Sequence, residues 1–207
     1  MLKKLNVAYS DDFGFLTTCI TNLGTGMRAS VMMFLPALTL SGQMDGIMNF
    51  LSSRGLVARG AYGEQSDSVG FMYQISNARS LGVSEKEIIG AVKEAVNQIC
   101  EYENRARIKL VAEKEAEIKD RVFRAFGVLT NCFKLTTAEL FKLSGEVKMG
   151  IALGLLRFKD NAILDKLMVE CMPNILTKIN KAPTEELDRD IFRASFVANA
   201  LKNQRIK

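Results

Sequence analysis

"CITNLGTGMRASVMM", residues 19–33, carries the chain out of one short apolar run and into another. The runs at 13–19 and 30–36 have the length and residue types of strands, so the stretch between them predicts a turn in a sheet. Its two glycines can present backbone N–H groups to phosphate oxygens, and Arg28 adds a planar guanidinium suited to a polyphosphate. A tight turn without a ligand explains the same pattern and is favoured from these residues alone.

Further strands and a helix follow along the chain. A helical pattern opens at Pro36 and extends to about Ser53, and short apolar runs at 56–63 and 70–76 are further strand candidates. One helix among four strand candidates indicates an α+β fold, with a largely antiparallel sheet flanked by helices.

The remainder of the chain is predicted to be helical. Ser84 and Glu87 form the capping box S-x-x-E, which marks the start of a long helix. Beyond this helix the composition is typical of helices only. We therefore place a domain boundary near residue 115, between an α+β domain at 1–115 and an all-helical domain at 116–207.

Composition limits the chemistry open to the protein. The sequence has no histidine, which excludes Ser-His and Cys-His nucleophilic catalysis and a His-ligated metal. Its net charge of +5 suits anionic ligands but is too small and too interleaved with acids to indicate nucleic-acid binding. Four cysteines without C-x-x-C spacing, and no run of about 18 apolar residues, predict a cytoplasmic protein with reduced thiols and no membrane span.

A second turn, "RGAYGE" at 59–64, repeats the combination of arginine and glycine at the end of a predicted strand. It places Arg59 and Glu64 on either side of two glycines. A hairpin turn with solvated charges is the plain alternative. Two such turns at the ends of neighbouring strands would allow Arg28 and Arg59 to converge on one nucleotide, which favours a shared anion site more than either turn does alone.

These motifs together resemble the guanidino phosphotransferases. The stretch at 19–33 is similar to that family's cysteine loop, C-P-[ST]-N-x-G-T-G-x-R-[AG], and "RGAYGE" with "GFMYQISNARSLGVSE" (70–85) is similar to its next block. The segments "RASVMM", "LPAL" and "QISN" are most similar to the bacterial protein-arginine kinase branch. The resemblance extends over nearly the whole chain and implies phosphorylation of a guanidinium nitrogen, with ATP and Mg as cofactors.

The resemblance also implies roles for individual residues. Arg28 and Arg59 would hold the ATP phosphates, Glu64 would orient the acceptor guanidinium and help remove its proton, and Cys19 would lie beside it as a thiolate. A fixed carboxylate can accept a proton, and neighbouring cations keep a thiol ionised. The nucleotide-lining residues implied in this way are Arg28, Ala29, Ser30, Val31, Met32, Arg59, Gly60, Ala61, Tyr62, Gly63 and Glu64. No residue is implied as a metal ligand.

The last predicted helix, 185–202, contains another motif. An apolar stripe from Leu187 to Leu201 predicts its buried face, with Arg189 and Arg193 on the opposite face, where they can converge on one anion. A solvated face with a local ion pair is the alternative from spacing alone. "RDIFRA" (189–194) is similar to the R-D-x-x-R-A motif of the protein-arginine kinase C-terminal domain, which implies a phosphoarginine site. That site would consist of Arg189, Asp190, Arg193 and Ala194, and Arg193→Ala would abolish binding without unfolding.

The sequence departs from the family pattern in two respects. Ile20 replaces a proline of the cysteine loop, and the family segments S-T-R-I-R and N-E-E-D-H-x-R do not occur. We therefore expect a fragment, a truncated product or half of a split enzyme, which alone binds ATP weakly and transfers phosphate slowly or not at all. The alternative is a non-catalytic module that reads phosphoarginine or docks partner proteins.

The resemblance implies several partners. They are proteins with exposed arginine, a stress-response repressor, a Clp-type chaperone and a second copy of the chain in a homodimer. No direct nucleic-acid partner and no membrane partner is expected.

Overall fold

The structure is a computed structural model in which residues 6–61, 68–202 and 204–206 are described. The chain forms two compact units. One consists of Met1–Ser68 with Met72–Ile108, and the other of Val69–Phe71 with Lys109–Lys207.

The first unit contains a three-stranded antiparallel sheet in the order β3–β5–β4. Its elements are β1 (Tyr9–Ser10), β2 (Gly14–Phe15), β3 (Ser30–Phe34), α1 (Pro36–Leu40), α2 (Met44–Ser52), β4 (Leu56–Gly60), β5 (Met72–Asn77) and the first part of α3 (Glu85–Asn131). β1 and β2 pair with each other in a short hairpin. The antiparallel sheet and its flanking helices confirm the predicted α+β fold.

One predicted strand is much shorter than expected. The apolar run at 13–19 is a strand only at Gly14–Phe15, and Cys19 is an exposed residue that precedes a short 3-10 helix. The prediction that a strand ends on this thiol is therefore wrong. Phe15 N donates instead to Gly24 O at 2.8 Å, so the polar turn folds back onto the hairpin.

The predicted helix at 36–53 is two helices, α1 and α2. Gly42 lies between them with a φ of 68°, in the left-handed region that favours glycine. Ser41 follows the last residue of α1 and donates its hydroxyl to Ala37 O at 2.7 Å. The glycine within the helical pattern therefore marks a helix boundary.

A buried carboxylate fixes the start of α1. The residue before this helix, Leu35, has no polar side chain to cap it. Glu103 of α3 is 3% exposed and accepts hydrogen bonds from Ala37 N and Leu38 N at 3.0 Å each. Arg107 Nε donates to the same carboxylate at 2.8 Å. Glu103 thereby satisfies two of the N–H groups that a helix leaves unpaired at its beginning.

α3 begins as the sequence predicts. Glu87 Oε2 accepts from Ser84 N at 2.7 Å and from the Ser84 hydroxyl at 2.8 Å, and that hydroxyl accepts from Glu87 N at 3.3 Å. These bonds lower the pKa of the Glu87 carboxyl, and the bond from the Ser84 backbone N–H has a larger effect than the bond from the Ser84 hydroxyl. The predicted capping box is confirmed. The helix is interrupted at Lys114, whose φ of −134° and ψ of 35° leave the helical region.

The second unit is mainly helical. Its elements are the last part of α3, α4 (Thr137–Ala152), β6 (Arg157–Phe158), α5 (Ile163–Glu170), α6 (Pro173–Asn180), α7 (Glu186–Leu201) and β7 (Arg205–Ile206). The two-residue strands β6 and β7 pair antiparallel, which adds a small ladder to the helical domain that the sequence predicts. Among the residues with a described position, no helix has the length and apolar character needed to cross a bilayer.

Candidate nucleotide site

A cavity of about 200 Å³ in the first unit brings Arg28 and Arg59 together. β3 and β4 both pair with β5, where Ser30 at the start of β3 is opposite Ser76 and Arg59 of β4 is opposite Gln74, two residues away on the same strand. The other lining residues are Asn22, Met27, Val57, Asn77 and Ala78. Two arginines, one from the loop before β3 and one from β4, therefore share one site.

The loop that carries Arg28 is held by the end of β5. Ala29 N donates to Asn77 Oδ1 at 2.8 Å, and Asn77 Nδ2 donates to Met27 O at 3.1 Å. The guanidinium of Arg28 donates from Nη2 to the Ser76 hydroxyl at 3.0 Å. The arginine is thus fixed through both its backbone and its side chain, and its other N–H donors remain for a ligand.

The glycine turn before Arg28 packs directly on the chain that follows β5. Gly24 has a φ of 103°, and a Cβ there would lie 2.4 Å from Ser80 O, so only glycine fits. Thr25 N donates to the same carbonyl at 3.1 Å, and Gly24 N donates to Phe15 O at 3.3 Å. These N–H groups are used within the fold, so Gly24 serves close packing rather than phosphate contact.

Arg59 lies on the open face of the sheet. In register it is opposite Gln74 of β5, which is opposite Met32 of β3. Side chains alternate along a strand, so these three share one face, while Tyr73 and Ile75 point to the other. Tyr73 and Ile75 are buried, whereas Met32 is 46% exposed. One face of the sheet is therefore core, and the other can receive a ligand.

The cavity is electropositive. Its described lining has two guanidinium groups and no carboxylate, and neither Arg28 nor Arg59 has an ion-pair partner among the residues that the structure describes. Unpaired guanidinium groups suit polyphosphate oxygens, which accept bidentate hydrogen bonds.

The other predicted nucleotide residues near β3 divide between the two faces of the sheet. Ser30 and Met32 belong to the face that carries Arg59, and Val31 alternates to the opposite face. The N–H of Ala29 is occupied by Asn77. Only part of the predicted 28–32 segment can therefore contact a ligand on the open face through its side chains.

The second predicted segment is only partly described. Gly60 is the last residue of β4, and the N–H of Ala61 continues the ladder by donating to Met72 O at 2.8 Å. Tyr62, Gly63 and Glu64 lie outside the described residues. The expected role of Glu64 as the catalytic carboxylate therefore stays a prediction.

Cys19 lies near the cavity in sequence but is not among its lining residues. The residue is exposed, and its carbonyl accepts from the Thr17 hydroxyl at 2.7 Å. Asn22, at the other end of the 3-10 helix, does line the cavity. The structure thus joins the two arginines, and the placement of the thiol beside a bound acceptor stays a prediction.

Asn77 is the main site residue that sequence reasoning misses. It belongs to the "QISN" segment, which is similar to the protein-arginine kinase branch but contains none of the residues implied to line the nucleotide. The available signal was an amide at the end of a predicted strand, next to a loop with an arginine. An amide can both donate and accept, and this property allows it to hold a neighbouring loop by its backbone.

In the "RDIFRA" motif, Arg193 is buried rather than solvated. It is 1% exposed, and it donates from Nε to Cys171 O at 3.1 Å, from Nη1 to Leu135 O at 2.8 Å and to the Asp190 carboxylate. The predicted buried stripe is wrong at Leu187, which is 59% exposed. The buried residues of α7 are Asp190, Arg193, Ala194, Val197 and Leu201. Arg193 therefore ties α7 to two other segments, and its removal is expected to destabilise the unit.

Arg189 has unused hydrogen-bonding capacity. Its Nη1 donates to Thr184 O at 2.8 Å, while its Nε is buried and has no hydrogen-bond partner in the part of the chain that is described. A buried donor without an acceptor is destabilising by about 1–3 kcal/mol. An oxyanion at this position would remove that deficit.

Comparison with known proteins identifies the class. The family described as "ATP:guanido phosphotransferase, C-terminal catalytic domain" matches residues 1–106, and the one described as "Protein-arginine kinase McsB C-terminal domain" matches residues 115–207. The chain belongs to the ATP:guanido phosphotransferase family.

Curated relatives narrow the similarity to one branch. A protein-arginine kinase from Halothermothrix orenii is 42% identical over 96% of this chain, and one from Bacillus subtilis is 39% identical over 96%. The chain spans 57% and 55% of the lengths of these two relatives. The resemblance stated from the motifs is confirmed.

Two solved structures of the family each overlap about half of the chain. A taurocyamine kinase from Schistosoma mansoni with bound transition-state-analogue components has 39% identity and a TM-score of 0.43, covering 49% of this chain and 14% of that one. A lombricine kinase has 33% identity and a TM-score of 0.41, covering 47% of this chain and 26% of that one.

Proposed function

We propose that this chain is part of a protein-arginine kinase that transfers the γ-phosphoryl group of ATP to a guanidinium nitrogen of an arginine side chain in another protein. The observation that carries the proposal is the shared cavity of Arg28 and Arg59. Phosphoryl transfer requires in-line placement and positive charge around the moving group more than covalent help from the protein. Two guanidinium groups supply that charge, and the one of Arg28 is held by the Ser76 hydroxyl.

The nucleotide would bind on the open face of the sheet. The phosphates would accept hydrogen bonds from Arg28 and Arg59, and the row of Met32 and Gln74 offers an apolar and an amide contact for the base. ATP supplies the phosphoryl group, and Mg would neutralise phosphate charge when it binds with the nucleotide. The fit of ATP to this face rests on the charge of the cavity and on its opening beside an uncovered part of the sheet.

The acceptor half of the reaction requires a base. The guanidinium of arginine has a pKa of about 12.5 or higher, so its nitrogen is a poor nucleophile while it is charged. A carboxylate can align this nitrogen and take its proton, and a thiolate can pair with the remaining positive charge. Family resemblance assigns these roles to Glu64 and Cys19.

The chain alone is expected to be a weak enzyme, because it spans little more than half of its curated relatives. The test measures acid-labile phosphate on an arginine-rich protein, with this chain alone and with the unmatched part of the Halothermothrix orenii relative added. We expect slow or no transfer alone and clear transfer with both, lost again with Arg59→Gln. Robust turnover by the chain alone would overturn the expected dependence. No transfer by the pair, although the chain binds ATP, would overturn the kinase proposal.

We further propose that the second unit binds phosphoarginine at the "RDIFRA" motif. The buried, unpartnered Nε of Arg189 supports this second function, because a phosphoryl oxygen could accept from it. Asp190 and Arg193 already bond each other, so they would shape the site while Arg189 makes the direct contact. Titration with phosphoarginine tests this, and binding that Arg189→Gln leaves unchanged would contradict it.

The partner proposals follow from the family resemblance. Proteins with exposed arginine are the proposed substrates, and a stress-response repressor, a Clp-type chaperone and a second copy of the chain are proposed partners. Sedimentation of the chain over a range of concentrations would test the homodimer.

A further inference from the structure

A second cavity in the first unit also has two arginines in its lining. It measures about 210 Å³, and Arg54 and Arg79 line it together with Asn77, which also lines the nucleotide cavity. We call it the Arg54–Arg79 cavity. None of the family motifs quoted from the sequence assigns a role to this pair.

Arg54 is oriented by an aromatic ring. Its guanidinium carbon lies 4.0 Å from the centroid of the Phe50 ring, and Phe50 in turn packs edge-on against Tyr102 with centroids 6.0 Å apart. A cation–π contact uses the flat face of the guanidinium. The N–H donors point outward in its plane and stay available to an acceptor.

Arg79 is placed by the backbone around it. Its carbonyl accepts from Asn77 Nδ2 at 3.0 Å, and the neighbouring Ala78 N donates to Gly55 O at 2.9 Å. Gly55 has a φ of 67°, in the left-handed region that favours glycine, and Arg79 Nε lies 3.5 Å from where a Cβ on Gly55 would be, so the side chain of Arg79 packs against this turn. The described residues provide no ion-pair partner for either Arg54 or Arg79.

The rest of the lining combines one carboxylate with apolar side chains. Glu87 contributes a negative charge, but its Oε2 is occupied by two hydrogen bonds from Ser84. Leu56, Val83 and Ile88 supply an apolar wall. The lining therefore has one positive charge in excess, apolar surface for a short hydrocarbon stem and two guanidinium groups for an anionic head.

We propose that the Arg54–Arg79 cavity binds an oxyanion carried on a short aliphatic stem. Carboxylates and phosphoryl groups share this chemistry, since both accept bidentate hydrogen bonds from guanidinium groups. The source would be an acidic or a phosphorylated side chain of another protein. This binding does not depend on the kinase activity.

The test follows backbone amide signals of the 207-residue chain by NMR during titration with glutarate, with propyl phosphate, or with sodium chloride at equal ionic strength. We expect saturable shifts at Gly55 and Ala91 with at least one organic anion, at concentrations on the order of 10 mM or below. Saturation by glutarate alone identifies carboxylates as the ligand class, and saturation by propyl phosphate alone identifies phosphoryl groups. Shifts no larger than those with sodium chloride would overturn the proposal.

Matched variants separate a site from general charge attraction. Arg79→Gln and Arg54→Gln each remove one charge from the lining, and Lys93→Gln removes one from an exposed position on α3 outside it. We expect the two arginine variants to weaken binding by about tenfold or more and the lysine variant by less than about twofold. Equal weakening by Lys93→Gln and Arg79→Gln would also overturn the proposal. The shift of the Ala29 amide signal on addition of ATP measures binding at the nucleotide cavity, independently of binding at the Arg54–Arg79 cavity.

Discussion

The side chain of Asn77 bonds the backbone on both sides of Arg28. Its Oδ1 accepts from Ala29 N at 2.8 Å, and its Nδ2 donates to Met27 O at 3.1 Å. A single amide at the end of the central strand therefore sets the position of an arginine from a distant loop. The nucleotide cavity owes its shape to this link as well as to the sheet.

We predict that Asn77→Ala lowers the affinity for ATP even when the variant is fully folded. The change removes the acceptor of Ala29 N and the donor to Met27 O, at a cost of about 1–3 kcal/mol. Because the loop that holds Arg28 loses its anchor, ATP affinity should fall by about tenfold. Calorimetric titration and urea unfolding measure the two effects. Asn97→Ala, on the exposed face of α3, is the control, and an equal loss of affinity there would contradict the prediction.

Glu103→Ala should strongly destabilise the first unit. The change leaves two N–H groups of α1 and the Arg107 guanidinium without their carboxylate, and breaking a buried ion pair costs about 3–5 kcal/mol. Glu101→Ala is a matched control, because its pair with Arg105 is exposed and contributes about 0–1 kcal/mol. Urea unfolding followed by circular dichroism checks both. Similar midpoints for the two variants would show that Glu103 does not anchor α1.

The same substitution should have opposite effects at two helical glycines. A Cβ on Gly145 of α4 would lie 2.6 Å from Gly70 Cα, so Gly145→Ala should destabilise the second unit by about 1–3 kcal/mol. A Cβ on Gly90 of α3 would meet nothing within 4 Å, so Gly90→Ala should stabilise the protein by about 0.4–1 kcal/mol. Thermal unfolding of both variants tests the pair. A stable Gly145→Ala variant would contradict the close approach of the two glycines.

Substitutions of the two arginines of "RDIFRA" should affect different properties, with Arg193 needed for folding and Arg189 for phosphoarginine binding. Arg193→Ala leaves the buried Asp190 carboxylate unpaired and should cost about 3–5 kcal/mol of stability. Arg189→Gln removes the buried, unpartnered Nε together with the bond from Nη1 to Thr184 O, and because these effects oppose each other the unfolding transition should stay nearly unchanged, while phosphoarginine affinity falls about tenfold or more. Calorimetry and thermal unfolding of both variants provide the readouts. An unfolded Arg189→Gln variant, or full stability of Arg193→Ala, would contradict these roles.

The sequence predicts those parts of the fold that local patterns determine. Strand-length apolar runs predict β3, β4 and β5, and Ser84 with Glu87 predicts the start of α3. The run at 13–19 fails because its residues pair with the turn at Gly24 instead of extending a strand. The pattern of apolar and polar residues along a segment does not predict a contact between a hairpin and a later turn.

The residues of the candidate sites also include some that local sequence patterns predict and others that they do not. Arg28 and Arg59 can be predicted because each stands near glycines where a predicted strand begins or ends. The position of Arg193 cannot be predicted, because its burial depends on carbonyls of Leu135 and Cys171 that helical periodicity does not place nearby. The contribution of Asn77 is hidden for the same reason, since its partners belong to a loop far away in sequence.

Titration of the chain with ATP tests the shared role of Arg28 and Arg59 most directly. We predict weak, saturable binding by the unmodified chain, and a loss of about 10–100-fold in affinity for Arg28→Gln and for Arg59→Gln, since a hydrogen bond to a charged group contributes about 1.5–3 kcal/mol. Arg105→Gln, an exposed arginine of α3, should bind ATP as the unmodified chain does. Equal affinity in all four proteins, or no saturable ATP binding at all, would contradict the account.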